Sequence, residues 1–312
     1  MKPRTRPRLS VIIVTGKNRG LAQQVVDAVV HQTQANALEL VIIDLAGESA
    51  VSFVAPLDFP LIYVKLPPST TVSRARVEGV QRANADAVAF IENHCIPAST
   101  WAEALIDAHS SPWAVVGYAF RPANQRYLSQ AGLMTEYGTW QTPIPSGEYR
   151  QMACNNISYK REILLQQGEQ LEVLLTPDFV LHEKLHREGI PFYLEGRAIV
   201  AHHELQTLPM IMQANHDYTR LLAFRRSRRW GILRRMLYIL GAPVGAPVIR
   251  LLRLAASLVN RRPLWTVFLA SLPAIVLVYF WSAVGESMGY LSSPSYAADE
   301  FGYWELDAPR IP

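Results

Sequence analysis

Cysteine is scarce in this chain: only Cys95 and Cys154 occur among 312 residues. Two cysteines exclude a disulfide framework and favour chemistry in a reducing, cytosolic compartment. We expect Cys95 to act as a small buried hydrophobic residue. The chain also lacks the apolar core of a signal peptide, because the run over residues 9–14 is short and is soon followed by Lys17. The basic N-terminus is therefore predicted to be a short polar arm that leads into a strand.

Acidic residues are missing between positions 218 and 285. The same stretch contains eleven arginines: Arg220, Arg225, Arg226, Arg228, Arg229, Arg234, Arg235, Arg250, Arg253, Arg261 and Arg262. The tail from Glu286 onward is acidic, and residues 1–217 are slightly acidic as well. The net charge of +4 thus comes from one segment. No nucleic-acid partner is predicted.

Charged residues are absent from residues 264–285, a stretch of 22 residues that is long enough to span a bilayer. Residues 236–249 are also apolar but contain two glycines and two prolines, which favours an interfacial or re-entrant segment. A buried helix of a soluble protein is the alternative for both. The arginines favour membrane contact, because they suit an anionic cytoplasmic leaflet. With one crossing, the arginines lie on the cytoplasmic side and the acidic tail lies across the membrane.

Apolar runs of strand type alternate with helical patterns through the first 200 residues. Such alternation predicts an α/β fold with a mostly parallel sheet flanked by helices. We expect a catalytic domain over residues 1–217 and a membrane-associated segment over residues 218–312. The predicted strands cover residues 9–15, 38–44, 61–66, 88–91, 113–120, 152–159 and 191–201, and the predicted helices cover residues 21–32, 70–83, 161–167 and 176–189, with a further helix from about residue 101.

Polar side chains follow the fourth of these strands. Glu92, Asn93 and His94 come directly after residues 88–91, and Pro97 ends the extended stretch. Ligands of open α/β sheets bind beyond the carboxyl ends of strands. Glu92 and His94 are two residues apart, so on an extended chain they point the same way with backbones about 7 Å apart. This spacing predicts that both side chains converge on one cation, although a solvated strand end has the same local pattern.

A second metal-type pattern, His182-Glu183-Lys184-Leu185-His186, matches the HExxH signature of zinc proteases. Charged residues at positions 184, 187 and 188 indicate a solvated helix, whereas a zinc helix of that class packs in apolar surroundings. The protease therefore stands as a remote alternative, and we expect His182 and His186 to lie on the surface or at the wall of a site.

Six segments together resemble a family-2 glycosyltransferase with a GT-A fold, over about residues 8–205. They occur in the order that the family shows: SVIIVTGKN, the glutamine Gln32 where the family's first helix ends, VIIDLAGES, SRARVEGVQRANADAVAFIENHCIP, ACNNISYKREIL and PDFVLHEKLHREGIPFYLEGRAIVAHH. The resemblance is to membrane-associated bacterial members. It implies inverting transfer of a sugar from a nucleotide-diphosphate sugar to an acceptor hydroxyl, such as that of a lipid-linked or cell-envelope polysaccharide acceptor. The catalytic domain is then expected on the cytoplasmic side of the inner membrane, in contact with membrane lipids.

The resemblance also assigns roles to single residues. It implies Asp178 as the catalytic base, Asp44 as the ligand of the nucleoside, and Glu92 and His94 as the ligands of a divalent cation, Mn²⁺ or Mg²⁺. Arg76 (or its neighbour Arg74), Asn155 and His202 are the further candidates for contact with substrate.

Two positions depart from the family pattern. Glu92-Asn93-His94 replaces the family's DXD motif, and an imidazole ligand suits Mn²⁺ better than Mg²⁺. Pro177-Asp178 replaces the usual Glu-Asp pair, which leaves one carboxylate. The alternative is a binding or scaffold protein that retains the fold without the chemistry.

Overall fold

The computed structural model describes residues 6–47, 53–176, 179–292 and 297–312. The described chain forms two compact units. Unit 1 contains residues up to Arg121 together with Thr142–His202, and unit 2 contains Pro122–Gln141 together with His203–Pro312. The sheet belongs to unit 1, and unit 2 is helical.

Unit 1 is built on a mixed sheet in the order β3-β2-β1-β4-β8-β6-β9-β5, with β7 paired to β9. Strands β1, β2, β3 and β4 are mutually parallel, whereas β8 runs antiparallel to β4 and β6. The strands are β1 Leu9–Thr15, β2 Leu38–Asp44, β3 Leu61–Lys65, β4 Ala87–Phe90, β5 Cys95–Pro97, β6 Val115–Pro122, β7 Gly147–Glu148, β8 Ile157–Lys160 and β9 Phe192–His202.

The parallel half of the sheet forms the core of unit 1. All seven residues of β1 and all seven of β2 are buried, as expected for β-branched strands that are covered on both faces. Gly79 on the covering helix α2 allows close approach to β1, because a Cβ at this position would lie 2.5 Å from Ile12. The helices of unit 1 are α1 Arg19–Val30, α2 Val72–Arg82, α3 Trp101–His109, α5 Arg161–Leu165, α6 Leu171–Leu174 and α7 Phe179–Arg187.

The predicted α/β fold and its strands agree with these bounds to within a few residues, except that the strand expected over residues 152–159 begins only at Ile157. Helix α4 (Tyr127–Tyr137) is among the helices that were not predicted. No element is predicted over residues 127–137, which form this helix. Apolar residues lie around most of its circumference, so the sequence carries no amphipathic period there.

Unit 2 contains α4 and four long or terminal helices, α8 Leu208–Ser227, α9 Ile232–Leu258, α10 Pro263–Leu291 and α11 Ala297–Leu306. Helix α8 begins before residue 217 and packs mainly on α10. Gly285 and Gly289 on α10 permit this packing. A Cβ at either position would lie within 2.3 Å of a backbone oxygen of α8, of His216 or Arg220.

Helix α9 is continuous through residues 236–249, the segment predicted to be interfacial or re-entrant. Pro243 and Pro247 lie inside it. A proline removes one N–H and leaves the carbonyl four residues earlier without its helical donor. The hydroxyl of Ser287 on α10 donates to that carbonyl, Ile239 O, at 3.2 Å. It thus replaces the hydrogen-bond donor that Pro243 lacks. The length and composition of α9 and α10 would allow either helix to cross a membrane.

The C-terminal tail returns to the start of unit 2. Ile311 N donates to Glu204 O at 2.7 Å, Leu205 and Arg310 form an antiparallel bridge, and Trp304 Nε1 donates to Asp217 Oδ2 at 3.0 Å. Residues 203–217 precede the arginine segment and the tail follows it. These bonds hold both ends of the segment on one side, so they conflict with the single crossing predicted from charge.

Candidate functional site

The carboxyl ends of three parallel strands lie side by side in unit 1. Thr15 of β1 is in register with Asp44 of β2, and Ile12 of β1 is in register with Phe90 of β4. The residues that follow β4 therefore begin beside the end of β1. This edge is where the sequence predicts a ligand site, and the predicted residues Glu92 and His94 are both buried in it.

Residues 92–95 form a turn, which corrects the extended conformation expected for this segment. Cys95 N donates to Glu92 O at 3.0 Å, so the chain reverses within four residues. The turn brings His94 Nε2 to 3.5 Å from Glu92 Oε2. His94 Nδ1 lies 2.9 Å from Asn93 Oδ1, which orients the ring. The two predicted ligands thus converge, but through a turn rather than through strand periodicity.

Two consecutive asparagines hold the Glu92 carboxylate. Asn155 Nδ2 donates to Glu92 Oε1 at 3.2 Å, and Asn156 Nδ2 donates to Glu92 Oε2. Asn156 also accepts from Glu92 N at 3.0 Å. Asn155 has a φ of 69°, a left-handed conformation that asparagine tolerates better than most residues. The sequence predicted Asn155 as a site residue and missed Asn156, which the repeated amide side chain at the start of β8 could have indicated.

Arg76 extends this network from helix α2. Its guanidinium Nη1 donates to Asn155 Oδ1 at 3.0 Å, and its Cζ lies 5.6 Å from the centre of the Phe90 ring. Arg76 is 4 % exposed, whereas Arg74 is exposed on the same helix. Of the two arginines considered from sequence, Arg76 is the one that belongs to the site.

Four buried donor groups meet beside the turn. The ligand atoms of Glu92, His94, Cys95 and His202 lie within 4.8 Å of one another. Cys95 and His202 are opposed in the antiparallel pair of β5 and β9, which places their side chains on one face. The predicted His202 therefore joins Glu92 and His94. Cys95 is buried, as expected, but its thiol also points at Glu92 Oε2, at 3.4 Å. This donor set fits a divalent cation.

Asp44 ends β2 with both carboxylate oxygens engaged. Arg19 Nη2 donates to Oδ2 at 2.7 Å, the Tyr63 hydroxyl donates to the same oxygen, and Ala46 N donates to Oδ1 at 2.9 Å. Burial by itself would raise the pKa of Asp44, but these hydrogen bonds and the charge of Arg19 outweigh it and hold the pKa below its ordinary value. Asp44 is therefore an ionised acceptor at the strand edge, and it lies outside the four-donor cluster.

The predicted base, Asp178, lies outside the described residues, as does Pro177. The residue that precedes them is anchored to α2, the helix that carries Arg76. Thr176 Oγ1 donates to Ser73 Oγ at 2.5 Å, and Ser73 Oγ donates to Leu175 O at 3.0 Å. Helix α7 begins at Phe179.

His182 of the HExxH pattern is buried, so the expectation of a surface position is wrong for it, whereas His186 is half-buried. The Nε2 atom of His182 lies 2.8 Å from the Tyr159 hydroxyl, and burial lowers the pKa of His182 to about 3. His186 stacks on Phe192 with ring centres 4.1 Å apart, while Glu183 is exposed on the other face of α7. Among the described residues, these side chains do not form a metal-binding group. The zinc-protease geometry, with its glutamate beside the metal, is absent from this part of the chain.

Comparisons with solved structures identify the fold. The mannosyltransferase PcManGT from Pyrobaculum calidifontis, in complex with GDP-Man and Mn²⁺, is 18% identical to this chain, with a TM-score of 0.55 over 96% of this chain and 88% of that one. TarS residues 1–349 from S. aureus is 14% identical, with a TM-score of 0.46 over 89% and 90% of the two chains. The likeness to the mannosyltransferase shows the GT-A fold that the strand pattern and motifs predicted.

Sequence comparison places the family. No curated protein gives a significant match to this chain. Residues 10–163 match the protein family described as "Glycosyl transferase family 2". This range contains Asp44, Arg76, Glu92, His94 and Asn155. Over residues 10–163, just under half of its length, the chain is therefore similar to glycosyl transferase family 2.

Proposed function

We propose that this protein transfers a sugar from a nucleotide-diphosphate sugar to an acceptor hydroxyl by an inverting single displacement. The observation that carries the proposal is the continuous contact from Arg76 through Asn155 to Glu92 and His94, at the carboxyl edge of the parallel strands. A cationic side chain and cation-binding donors at such an edge suit an anionic diphosphate.

Each group has a distinct task in this proposal. Asp178 takes the proton of the acceptor hydroxyl, and Asp44, ionised at the end of β2, accepts hydrogen bonds from the nucleoside. Arg76 compensates the charge that grows on the leaving diphosphate. Glu92 and His94 are the residues that would hold a divalent cation, which supplies Lewis-acid chemistry when bound.

Turnover of a nucleotide-sugar panel tests this function. The full-length protein is incubated with each donor, with and without Mn²⁺, and released nucleotide diphosphate is measured. We expect one donor class to be turned over. Asp178→Asn keeps the shape of the side chain but removes its basicity, so turnover should fall on the order of 10²-fold or more while calorimetry still detects donor binding.

Glu183→Gln is the matched control, because Glu183 is an exposed carboxylate in the middle of α7 and its substitution should leave turnover unchanged. Near wild-type turnover in Asp178→Asn would remove the assignment of the base. Donor binding without turnover in the unmodified protein would instead favour the alternative, a binding or scaffold protein.

We further propose that unit 2 attaches the protein to the cytoplasmic face of the inner membrane, where it meets a lipid or lipid-linked acceptor. Helix α9 supports this, because large apolar side chains along its length are exposed, among them Leu233 at 74 %, Leu240 at 73 % and Val244 at 73 %. Arg234 stacks on Trp230 at 4.0 Å near its start. Arginine and tryptophan beside an apolar face are typical of a membrane interface.

The mode of attachment is proposed to be a hairpin of α9 and α10 that lies in the interface without crossing. The tail is bonded to residues 204–206, directly after β9. The turn between the helices is held too: Arg261 donates to Gly138 O at 3.2 Å and to Gln141 O at 2.8 Å, and Gln141 directly precedes Thr142. Within unit 2, these bonds anchor both the turn and the tail.

Labelling in membrane vesicles tests the attachment. Cysteines are introduced singly at Asn260 in the turn and at Tyr303 in the tail, in Cys154→Ser protein that retains the buried Cys95. We expect an impermeant thiol reagent to label both from the cytoplasmic side, and to spare Val244→Cys on the lipid-facing surface. Protection of Tyr303→Cys would indicate a single crossing, and protection of Asn260→Cys alone would indicate a two-helix span.

A further inference from the structure

The four-donor cluster contains a thiol, and this changes which ion it suits. Magnesium and calcium select oxygen ligands, whereas thiolate and imidazole select zinc and its neighbours among the transition metals. Glu92, Cys95 and the two histidines His94 and His202 offer one oxygen, one sulfur and two nitrogens. A site of this composition is not suited to Mg²⁺, and sulfur makes it a poor site for Mn²⁺.

The charges of the cluster also match one divalent ion. An ionised Glu92 and a Cys95 thiolate contribute two negative charges, and two neutral imidazoles contribute none. A divalent cation makes the centre neutral. Neutrality matters here because all four residues are 7 % exposed or less, and uncompensated charge is costly to bury.

The donors are already oriented by their neighbours. Asn155 and Asn156 hold the Glu92 carboxylate, and Asn93 lies 2.9 Å from His94 Nδ1, so that Nε2 faces Glu92. Residues that hydrogen-bond to metal ligands fix ligand direction and contribute strongly to metal affinity. The strand pairing supplies the other half of the site, because Cys95 lies opposite His202 in the β5–β9 ladder.

We propose that Glu92, His94, Cys95 and His202 bind one zinc-class cation with Cys95 as a thiolate ligand. The ion would join the turn after β4 to the end of β9 and so hold together the strand ends on which the donor site stands. The inference deepens the proposed function, and rests on it for the role of this edge in sugar transfer. Binding of the ion itself is measured without any sugar donor.

Metal analysis and cobalt substitution of the full-length protein test the ligand set. After dialysis against a weak chelator, we expect about one zinc per chain, the stoichiometry of a four-ligand site. Replacement by Co²⁺ should give a thiolate-to-metal charge-transfer band in the near ultraviolet. A Co²⁺ form without this band would overturn the proposal, because Glu92 and the histidines alone would then bind the ion.

The two cysteines provide a matched pair of variants. Cys95→Ser should abolish the charge-transfer band and weaken zinc binding by more than about 100-fold, since even hydrogen-bond partners of ligands contribute about 10- to 100-fold. Cys154→Ser lies outside the cluster and should retain both. Loss of the band in Cys154→Ser but not in Cys95→Ser would contradict the assignment.

If Cys95→Ser fails to fold, the zinc content and the cobalt spectrum of the unmodified protein still decide the outcome. The result is also separable from sugar transfer. A chain that binds zinc through Cys95 but turns over no donor overturns the proposed function alone. A chain that transfers sugar but binds no zinc overturns only this inference.

Discussion

Unit 1 and unit 2 both bury charged side chains, but they do so in different ways. In unit 1 Asp44 and Glu92 lie at or just beyond strand ends, Asp44 beside Arg19 and the Tyr63 hydroxyl and Glu92 beside two asparagine amides. In unit 2 Glu286 lies on an apolar helix and pairs with Arg226 of α8 at 2.6 Å and with Arg250 of α9 at 2.5 Å. The first arrangement leaves polar groups gathered at one edge, where a ligand can use them. The second uses charge to join three helices.

The difference follows from the geometry of strands and helices. Parallel strands end at the same edge, so polar residues that are distant in sequence come together there. Helices present a side chain in every direction, and their neighbours decide which direction is covered. Removal of one arginine should therefore affect the two units differently. Two experiments test this difference, and a third tests the buried histidines of unit 1.

The largest effect is expected in unit 1, at Arg76. Arg76→Gln removes the charge that faces Asn155 and the proposed diphosphate position, so donor affinity should fall about 10- to 100-fold, the equivalent of one charge-assisted hydrogen bond. Calorimetry with the donor identified by turnover measures it. Arg74→Gln, exposed on the same helix, is the control and should bind as the unmodified protein does. Equal losses in both variants would mean that Arg76 acts only through general positive charge.

In unit 2 the corresponding change should affect stability instead of donor binding. Arg261 is buried and donates to Gln141 O and Gly138 O, so Arg261→Ala leaves two carbonyls without these donors and should lower the free energy of unfolding by about 2 kcal/mol. Arg262 is adjacent but exposed, and Arg262→Ala should cost about 0.5 kcal/mol or less. Denaturant unfolding in detergent compares the pair. Similar values for the two would argue against a fixed turn between α9 and α10.

The smallest effect is a dependence of stability on pH in unit 1. Burial lowers the pKa of His182 to about 3 and that of His109 to about 4, from an ordinary value of 6.5. Below pH 6.5 the unfolded chain therefore binds protons that the folded chain does not. Each histidine should cost about 1.4 kcal/mol of stability per pH unit as the pH falls from 6.5 toward 4.

Urea unfolding at pH 6.5 and 5.5 measures this slope. His182→Phe keeps a ring beside Phe192 but cannot be protonated, so it should remove about half of the pH dependence that the two histidines produce. A slope unchanged by the substitution would mean that His182 is protonated in the folded protein. The same variant tests the HExxH zinc hypothesis. If His182 bound zinc, His182→Phe would lower the zinc content of the protein, whereas we expect the zinc content to stay unchanged.

Much of unit 1 was predictable from local pattern. The strands of β-branched residues and the polar triplet after β4 identify the sheet and its ligand edge, and the structure brings Glu92, His94, Asn155, Arg76 and His202 together there. Asn156 and Tyr63 were missed, because their roles depend on which strand lies next to which. The predicted backbone conformation between Glu92 and His94 was also wrong, since a turn and not an extended chain brings the two side chains together.

Unit 2 was predictable only in part. Composition indicated two apolar segments and the arginines that flank them, because apolar length and charge are properties of the chain itself. It did not indicate that α9 continues through its prolines, where Ser287 of α10 donates to Ile239 O. Nor did it indicate that the tail pairs with residues 204–206, and this pairing is what argues against a single crossing.

The sequence by itself determined the order of the strands along the chain, the family, and which residue types stand at the strand ends, because these follow from short-range periodicity and motif spacing. Only the tertiary structure decided that Cys95 faces His202 and that Glu286 holds two arginines. Those contacts join residues from separate elements, and the pairing of strands and the packing of helices select them from many partners that the local sequence leaves equivalent.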